Sequence, residues 1–109
     1  MNFKEYQKHA ADTAMYPNVG ENYMYPALGL AGEAGEISNK VKKIERDFGG
    51  KITDEVQEMV KAEMGDLLWY MAQLASELGL DLETIATENI EKLASRKERG
   101  VLGGNGDLR

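Results

Sequence analysis

The sequence predicts an all-α protein, an antiparallel bundle of about four helices. Apolar residues recur at helical spacing through most of the chain, whereas the alternation typical of strands is hard to find. Residues that begin or end helices separate the apolar segments. A chain of 109 residues has the size of one ordinary domain, so we expect residues 1–109 to form a single helical domain.

Start signals define the first two helices. Asn2 can cap a helix that runs to about Ala14, with Glu5 at the capping-box position. Residues 16–25 contain closely spaced proline, asparagine and glycine, which predicts a loop. Pro26 then suits the first turn of a second helix, which ends at two consecutive glycines.

The third and fourth helices have similar boundaries. Thr53 or Asp54 caps the third helix, which stops at the next glycine along the chain. Asp81 caps the fourth helix, which runs to about Gly100. The remaining residues, 101–109, are rich in glycine and are expected to form a mobile tail.

Each helix carries an apolar stripe that predicts its buried face. We expect these stripes to meet in one core. Their residues, in chain order, are Phe3, Tyr6 and Ala10; Leu30, Ile37, Val41, Ile44 and Phe48; Val60, Leu67, Met71, Leu74 and Leu78; and Leu82, Ile85, Ala86, Ile90 and Leu93.

The charge of the chain excludes some partners. A formal net charge of -6 and a pI near 4.8 disfavour nonspecific binding to a nucleic-acid polymer or an anionic membrane, because both need a basic surface. The chain has no cysteine, its first residues lack the apolar core of a signal peptide, and no apolar run has the length of a membrane span. The expected location is the cytoplasm.

Two acidic pairs on the second and third helices are the main functional signal. Glu33 and Glu36 are three residues apart, as are Glu63 and Asp66, so each pair projects from one side of its helix. Two such helices face to face would aim four carboxylates at one point, where hard cations such as magnesium prefer to bind. The pairs predict a metal site, although a solvated acidic face has the same spacing.

A glycine precedes the last acid of each pair, at Gly35 and Gly65. Glycine inside a helix costs about 1 kcal/mol relative to alanine. A missing side chain lets another backbone, a metal or a ligand approach closely. We therefore expect crowding at both glycines and partly enclosed acids.

One polar pattern recurs on the last three helices, with residues at positions i, i+3 and i+7 that share a helix face. Together they offer carboxylates, cations, a phenol and an amide, a mixture that suits a metal-bound polyphosphate. The alternative is that the basic residues of the fourth helix are its solvated end, favoured by the helix dipole. The three sets are Glu33, Glu36 and Lys40; Glu63, Asp66 and Tyr70; and Asn89, Lys92 and Arg96.

With these motifs the chain resembles the MazG-like all-α nucleoside triphosphate pyrophosphohydrolases, whose signature is E-x-x-E, a variable spacer and E-x-x-D. The two acidic pairs match it. The run Gly-Leu-Ala-Gly-Glu-Ala-Gly-Glu at residues 29–36, the tyrosine four residues after Asp66 and the segment Lys92-Leu-Ala-Ser-Arg96 are also similar to the family. The resemblance covers roughly residues 26–99.

The resemblance implies hydrolysis of a (deoxy)nucleoside triphosphate between its α and β phosphates, giving a monophosphate and pyrophosphate. It also implies a homodimer or homotetramer with clefts near subunit contacts, and magnesium, with manganese as a second candidate. Glu36 or Glu33 could accept the proton of the attacking water. The implied residues are Glu33, Glu36, Glu63 and Asp66 as metal ligands and catalytic groups, and Lys40, Tyr70, Asn89, Lys92 and Arg96 for substrate.

Recognition of the base is left open by the sequence. Four aromatic residues are candidates for stacking, and Asn18 or Asn22 could hydrogen-bond a base edge, but aromatic residues at helical spacing also form cores and interfaces. The aromatic candidates are Tyr23, Tyr25, Trp69 and Tyr70.

Two other classes of protein compete with this interpretation. A noncatalytic helical interaction module would have similar amphipathic helices and would assemble without magnesium-dependent turnover. A carboxylate-bridged di-iron or di-manganese bundle normally needs Glu-x-x-His on two helices, which this sequence lacks.

Overall fold

The computed structural model describes residues 1–107 and contains four helices and no strand within that range. The helices are α1 (Phe3–Asp12), α2 (Met24–Phe48), α3 (Asp54–Glu77) and α4 (Leu82–Arg99). The two long helices α2 and α3 form an antiparallel hairpin, α1 packs on α3, and α4 packs mainly against α1. The all-α fold class is confirmed. None of the helices in the described range has the length and apolar character needed to cross a bilayer.

Side-chain caps fix three of the helix starts. Asn2 Oδ1 accepts a hydrogen bond from the Glu5 amide at 2.8 Å, as the capping signal predicted. Thr53, not Asp54, caps α3, since its hydroxyl accepts a bond from the third residue of the helix at 3.2 Å. Asp81 caps α4, also as predicted.

The start of α2 differs from the prediction. Pro26 lies in the first turn of α2, as predicted, but the helix begins at Met24, so the expected loop over residues 16–25 ends two residues early. Asn22 is the reason, because its side-chain oxygen accepts a hydrogen bond from the Tyr25 amide at 3.1 Å and satisfies the first turn. The first helix is also shorter than expected, since α1 ends at Asp12.

One buried cluster joins three of the helices. Ala10 of α1, Ala72 of α3 and Leu82 of α4 are buried together, with Tyr6 and Trp69 packed against them. Much of the predicted apolar stripe is exposed instead. Helical spacing identifies an apolar face but not the neighbour that covers it, and within residues 1–107 these positions stay partly or largely uncovered. The exposed stripe residues are Phe3, Val41, Met71, Leu78, Ile85, Ile90 and Leu93.

The glycine prediction was wrong about which residue is crowded. A Cβ added at Gly35 or Gly65 would meet no atom within 4 Å in the described chain. The close approach is at Gly29, where a Cβ would lie 2.2 Å from Tyr70 Cε1. Gly29 therefore lets α2 pass over the Tyr70 ring on α3, next to the acidic pairs.

Candidate metal centre

Three of the four predicted acids meet between α2 and α3. Glu33 on α2 and Glu63 and Asp66 on α3 each offer a carboxylate oxygen, and these atoms lie within 4.8 Å of one another. The antiparallel hairpin brings the two acidic pairs level with each other, so that their facing sides meet. Three carboxylates at this separation are a donor set suited to magnesium or manganese.

Glu33 has the most unusual environment of the three. Its Oε2 atom is buried and, in the ionised side chain, has no hydrogen-bond partner. The pKa of Glu33 is raised to about 7, mainly because the protonated form gains a hydrogen bond to Glu63. Burial and the negative charges of Glu63, Asp66 and Glu36 raise it further. A buried, unpartnered carboxylate oxygen among like charges is the condition that a cation relieves, so these residues fit a metal.

Glu36 and Lys40 lie next to this group on α2. Glu36 is exposed and outside the group of three, so its role as a fourth ligand stays a prediction. Its charge nevertheless contributes to the raised pKa of Glu33. Lys40 Nζ lies 3.6 Å from Glu63 Oε1 and partly balances the acids. The structure therefore brings Lys40, which lies seven residues after Glu33 on α2, to the group of acids.

Tyr70 is also brought to the acids. It lines an acidic cavity of about 250 Å³ together with Glu33, Asp66 and Trp69. Burial, followed by nearby phenol and carboxylate groups, raises the pKa of the Tyr70 hydroxyl, so it stays protonated and able to donate at neutral pH.

The three candidates on α4 are not brought to the acids within one chain. Asn89 is exposed, and neither Lys92 nor Arg96 lines the acidic cavity. Instead Lys92 Nζ and Arg96 Nη2 both contact Asp107 Oδ1, at 3.3 and 3.0 Å. The Arg96 guanidinium, followed by Lys92, holds the pKa of Asp107 below its usual range.

The polar stripe of α3 continues beyond the residues singled out from the sequence. Gln73 and Glu77 follow Tyr70 at the same spacing of three and four residues. Gln73 is 2% exposed, and its Nε2 donates to the Tyr16 hydroxyl at 2.9 Å. That hydroxyl donates in turn to Glu77, whose pKa is lowered mainly by this bond. The repeated spacing was the signal that could have identified both residues.

A second cavity, here called the aromatic cavity, adjoins the acidic one. It also has a volume of about 250 Å³, and the two cavities share Trp69 and Tyr70. Tyr23, a candidate for stacking, is 56% exposed and does not line it. The aromatic cavity is lined by Thr13, Met15, Tyr16, Tyr25, Trp69 and Tyr70.

Comparison with known proteins agrees with this geometry. The family model described as the MazG nucleotide pyrophosphohydrolase domain matches residues 24–101, a range that contains both acidic pairs. The chain is also similar to the Gene 37 protein of Mycobacterium phage L5, with 52% identity over 109 residues that cover 95% of this chain and 96% of that protein. No solved structure matches the chain significantly. Because the family model covers more than half of the sequence, the chain belongs to the MazG nucleotide pyrophosphohydrolase family.

Proposed function

We propose that the protein is a magnesium-dependent pyrophosphohydrolase that converts a (deoxy)nucleoside triphosphate and water to the monophosphate and pyrophosphate. The observation that carries the proposal is the group of Glu33, Glu63 and Asp66, with its buried and unpartnered Glu33 oxygen. The family match over residues 24–101 supports the same reaction class.

The proposed metal ligands are Glu33, Glu63 and Asp66, with Glu36 as a fourth. A magnesium ion held by these residues, or manganese in its place, would supply a Lewis acid for the phosphates and would lower the pKa of a bound water. Glu33 or Glu36 accepts the proton of the water that attacks the α phosphorus, and the bond from that phosphorus to the bridging oxygen breaks. The Tyr70 hydroxyl, held protonated beside the acids, is available to donate to a phosphate oxygen.

Positive charge is needed where pyrophosphate leaves. Lys40 Nζ is 3.6 Å from Glu63 Oε1, so its positive charge is close enough to the acids to balance the negative charge of a bound phosphate. Lys92 and Arg96 are on α4, which packs mainly against α1. We propose that they reach the phosphates of a second copy in a homodimer or homotetramer, with Asn89 on the same helix. The exposed apolar residues of α3 and α4, among them Met71 and Ile90, provide surface for that assembly.

Product analysis tests the proposal. The protein with magnesium is incubated with each common ribo- and deoxyribonucleoside triphosphate in ¹⁸O-labelled water, and the products are separated by chromatography. We expect monophosphate carrying the label and unlabelled pyrophosphate. Diphosphate with orthophosphate would contradict the bond assignment. Assembly without any turnover would instead favour a noncatalytic interaction module.

A further inference from the structure

The aromatic cavity and the acidic cavity offer two different chemistries side by side. The six side chains that line the aromatic cavity are all uncharged, whereas Glu33 and Asp66 lie in the wall of the acidic one. Because Trp69 and Tyr70 belong to both walls, one molecule can extend from one cavity into the other. Its charged end would lie with the acids and their cation, and its neutral end among the aromatic rings.

The arrangement of the rings favours a flat ligand. Tyr16 and Tyr25 are stacked, with ring centroids 4.6 Å apart and 12° between their planes. Tyr25 is tilted by 46° to Tyr70, and Tyr70 meets the edge of Trp69 at 86°. Ring faces and edges presented in this way suit another aromatic ring by offset stacking or edge contact.

The size of the cavity limits what it can hold. Pockets for drug-sized ligands have volumes of about 300 to 1,000 Å³, whereas this one has about 250 Å³. It suits a single ring system better than a larger group. Trp69 is held in place there, because its Nε1 donates to the Thr13 hydroxyl at 2.7 Å and Thr13 in turn donates to the Ala10 carbonyl at 2.9 Å.

The carboxylate of Glu77 is hydrogen-bonded to Tyr16, one of the residues that line this cavity, and to the loop that precedes α2. Glu77 accepts hydrogen bonds from the Tyr16 hydroxyl and from the amides of Gly20 and Asn22, the last two at 2.9 and 3.1 Å. Asn22 then accepts a bond from the Tyr25 amide at the start of α2. Glu77 thus binds Tyr16 directly and is linked to Tyr25 through Asn22.

We propose that the aromatic cavity binds the nucleobase of the substrate, and that Glu77 is the positioning residue that sets its walls through Tyr16 and Asn22. This inference rests on the proposed function, since it assigns the neutral end of the same substrate. Glu77 does not touch the reacting phosphates in this arrangement. Its loss should therefore change base binding and selectivity more than the chemical step.

Nucleosides, which have no phosphate, test the cavity without the reaction. Trp69 is the only tryptophan of the chain, so its fluorescence reports on this site. The protein in EDTA is titrated with each common nucleoside, and we expect saturable quenching by at least one of them. Tyr25→Ala should weaken that binding about tenfold or more, the loss typical of one stacking partner. Tyr25→Phe should retain it.

Tyr23→Ala is the matched control, because Tyr23 lies two residues away, is exposed and does not line the cavity. It should bind like the wild type. Equal weakening by Tyr23→Ala and Tyr25→Ala would overturn the assignment, as would the absence of saturable quenching by every nucleoside.

Glu77→Gln tests the positioning role, because it keeps the shape of the side chain and removes its charge. We expect a KM raised by about tenfold with kcat changed by less than about threefold, and a changed ratio of kcat/KM among bases. Tyr16→Phe, which retains the ring and removes only the hydroxyl, should shift the same ratio. Unaltered base preference in a folded Glu77→Gln or Tyr16→Phe protein would overturn the role of Glu77.

The two proposals fail in different ways. Saturable nucleoside binding without pyrophosphate release from any triphosphate would remove the proposed function and leave the cavity as a nucleoside site. Pyrophosphate release without nucleoside binding, and with KM unchanged in Tyr25→Ala, would remove the cavity assignment and leave the proposed function.

Discussion

Gly29 and Tyr70 are in such close contact that a Cβ on residue 29 would lie 2.2 Å from Tyr70 Cε1. Gly29 lies four residues before Glu33 on α2, and Tyr70 lies four residues after Asp66 on α3. The absence of a side chain at residue 29 therefore determines where the Tyr70 ring sits relative to Glu33 and Asp66, which line the same cavity.

The first prediction is that Gly29→Ala destabilises the protein by about 1 to 3 kcal/mol, the cost typical of overpacking. The added methyl group must displace the Tyr70 ring or separate the helices. Urea unfolding measures the change in the free energy of unfolding. Gly29→Ala combined with Tyr70→Ala should recover part of the loss, because the two changes are coupled.

Gly32→Ala is the control for helix propensity. A Cβ at Gly32 meets no atom within 4 Å in the described chain, so alanine there should stabilise α2 by up to about 1 kcal/mol. If Gly29→Ala and Gly32→Ala shift the free energy of unfolding alike, the contact with Tyr70 has no energetic consequence.

The second prediction is that Asp66→Asn lowers magnesium-dependent kcat by about 100-fold or more while the helical content is retained. Mutation of a residue that only hydrogen-bonds a metal ligand already lowers metal affinity or activity by about 10- to 100-fold. Asp66 is proposed as a ligand itself, so its loss should have at least this effect. Glu36→Gln should also be impaired, because a bound cation would draw its exposed carboxylate in. Steady-state turnover and circular dichroism are the measurements.

Glu58→Gln provides the comparison on the same helix. Glu58 is exposed and pairs with Lys61 at 2.7 Å, away from the group of three acids. It should turn over like the wild type. Full activity in Asp66→Asn would exclude the proposed metal centre, and full activity in Glu36→Gln would reduce the ligand set to three.

The third prediction concerns the pH dependence of the metal-free protein. The pKa of Glu33 is about 7 in the folded chain against an ordinary value of 4.5. The folded state therefore binds more protons than the unfolded state between these values, so this residue favours folding at low pH and loses that effect as pH rises from 4.5 through 7. In EDTA, wild type should lose more thermal stability than Glu33→Gln between pH 5 and 8.

Glu36→Gln is the control for removing one negative charge near the site, since it leaves Glu33 able to titrate. It should keep most of the pH dependence of the wild type. An identical pH profile in wild type and Glu33→Gln would contradict the raised pKa. Saturating magnesium should flatten the wild-type profile, because a bound cation keeps the carboxylate ionised.

The fourth prediction is that Lys92→Ala lowers kcat/KM by about 10- to 1,000-fold, through the loss of about 1.4 to 4 kcal/mol of transition-state stabilisation. Lys92 is a cleaner test than Arg96, because 42% of its side chain is exposed against 4% for Arg96. Truncation of Arg96 would remove packing as well as charge. Unchanged kcat/KM in a folded Lys92→Ala protein would place this part of α4 outside the substrate site.

The fifth prediction is that Asp107→Asn lowers KM for the triphosphate by roughly two- to fivefold, the effect expected from an exposed ion pair. Asp107 Oδ1 contacts both Lys92 and Arg96, so it competes with phosphate for the two cations. Glu98→Gln, a neutralised acid elsewhere on the end of α4, should leave KM unchanged. A raised KM in Asp107→Asn would mean that the contact orders the cations for substrate.

The helices and the acidic group were predictable because their signals are local. Asn2 and Asp81 cap helices through bonds to residues at most three positions away, and residues spaced three apart share a helix face in any fold. The loop before α2 was predicted two residues too long, because the first turn also includes Met24 and Tyr25, and the amide of Tyr25 donates to the side chain of Asn22. Pro26 correctly predicted the first turn of the helix, but a proline in the first turn does not specify which residue begins it.

Whether an apolar residue is buried depends on which element packs against it, and the sequence alone does not specify that neighbour. Met71 and Ile90 were expected in a core and are exposed, while Ala72 is fully buried between α1 and α4. Helical periodicity identifies a face without identifying its partner. The position of Gly29 over Tyr70 is equally nonlocal, since it depends on the register between α2 and α3.

The residues that line the aromatic cavity come from two parts of the chain, one inside the region that matches the family model and one before it. Tyr25, Trp69 and Tyr70 fall within the family match at residues 24–101, whereas Thr13, Met15 and Tyr16 precede it. Under the proposals made above, the base site thus combines residues before the family match with residues inside it, whereas all the proposed metal ligands lie inside it. Exchanging the first 23 residues between relatives should therefore alter substrate preference, while the bond that is cleaved stays the same.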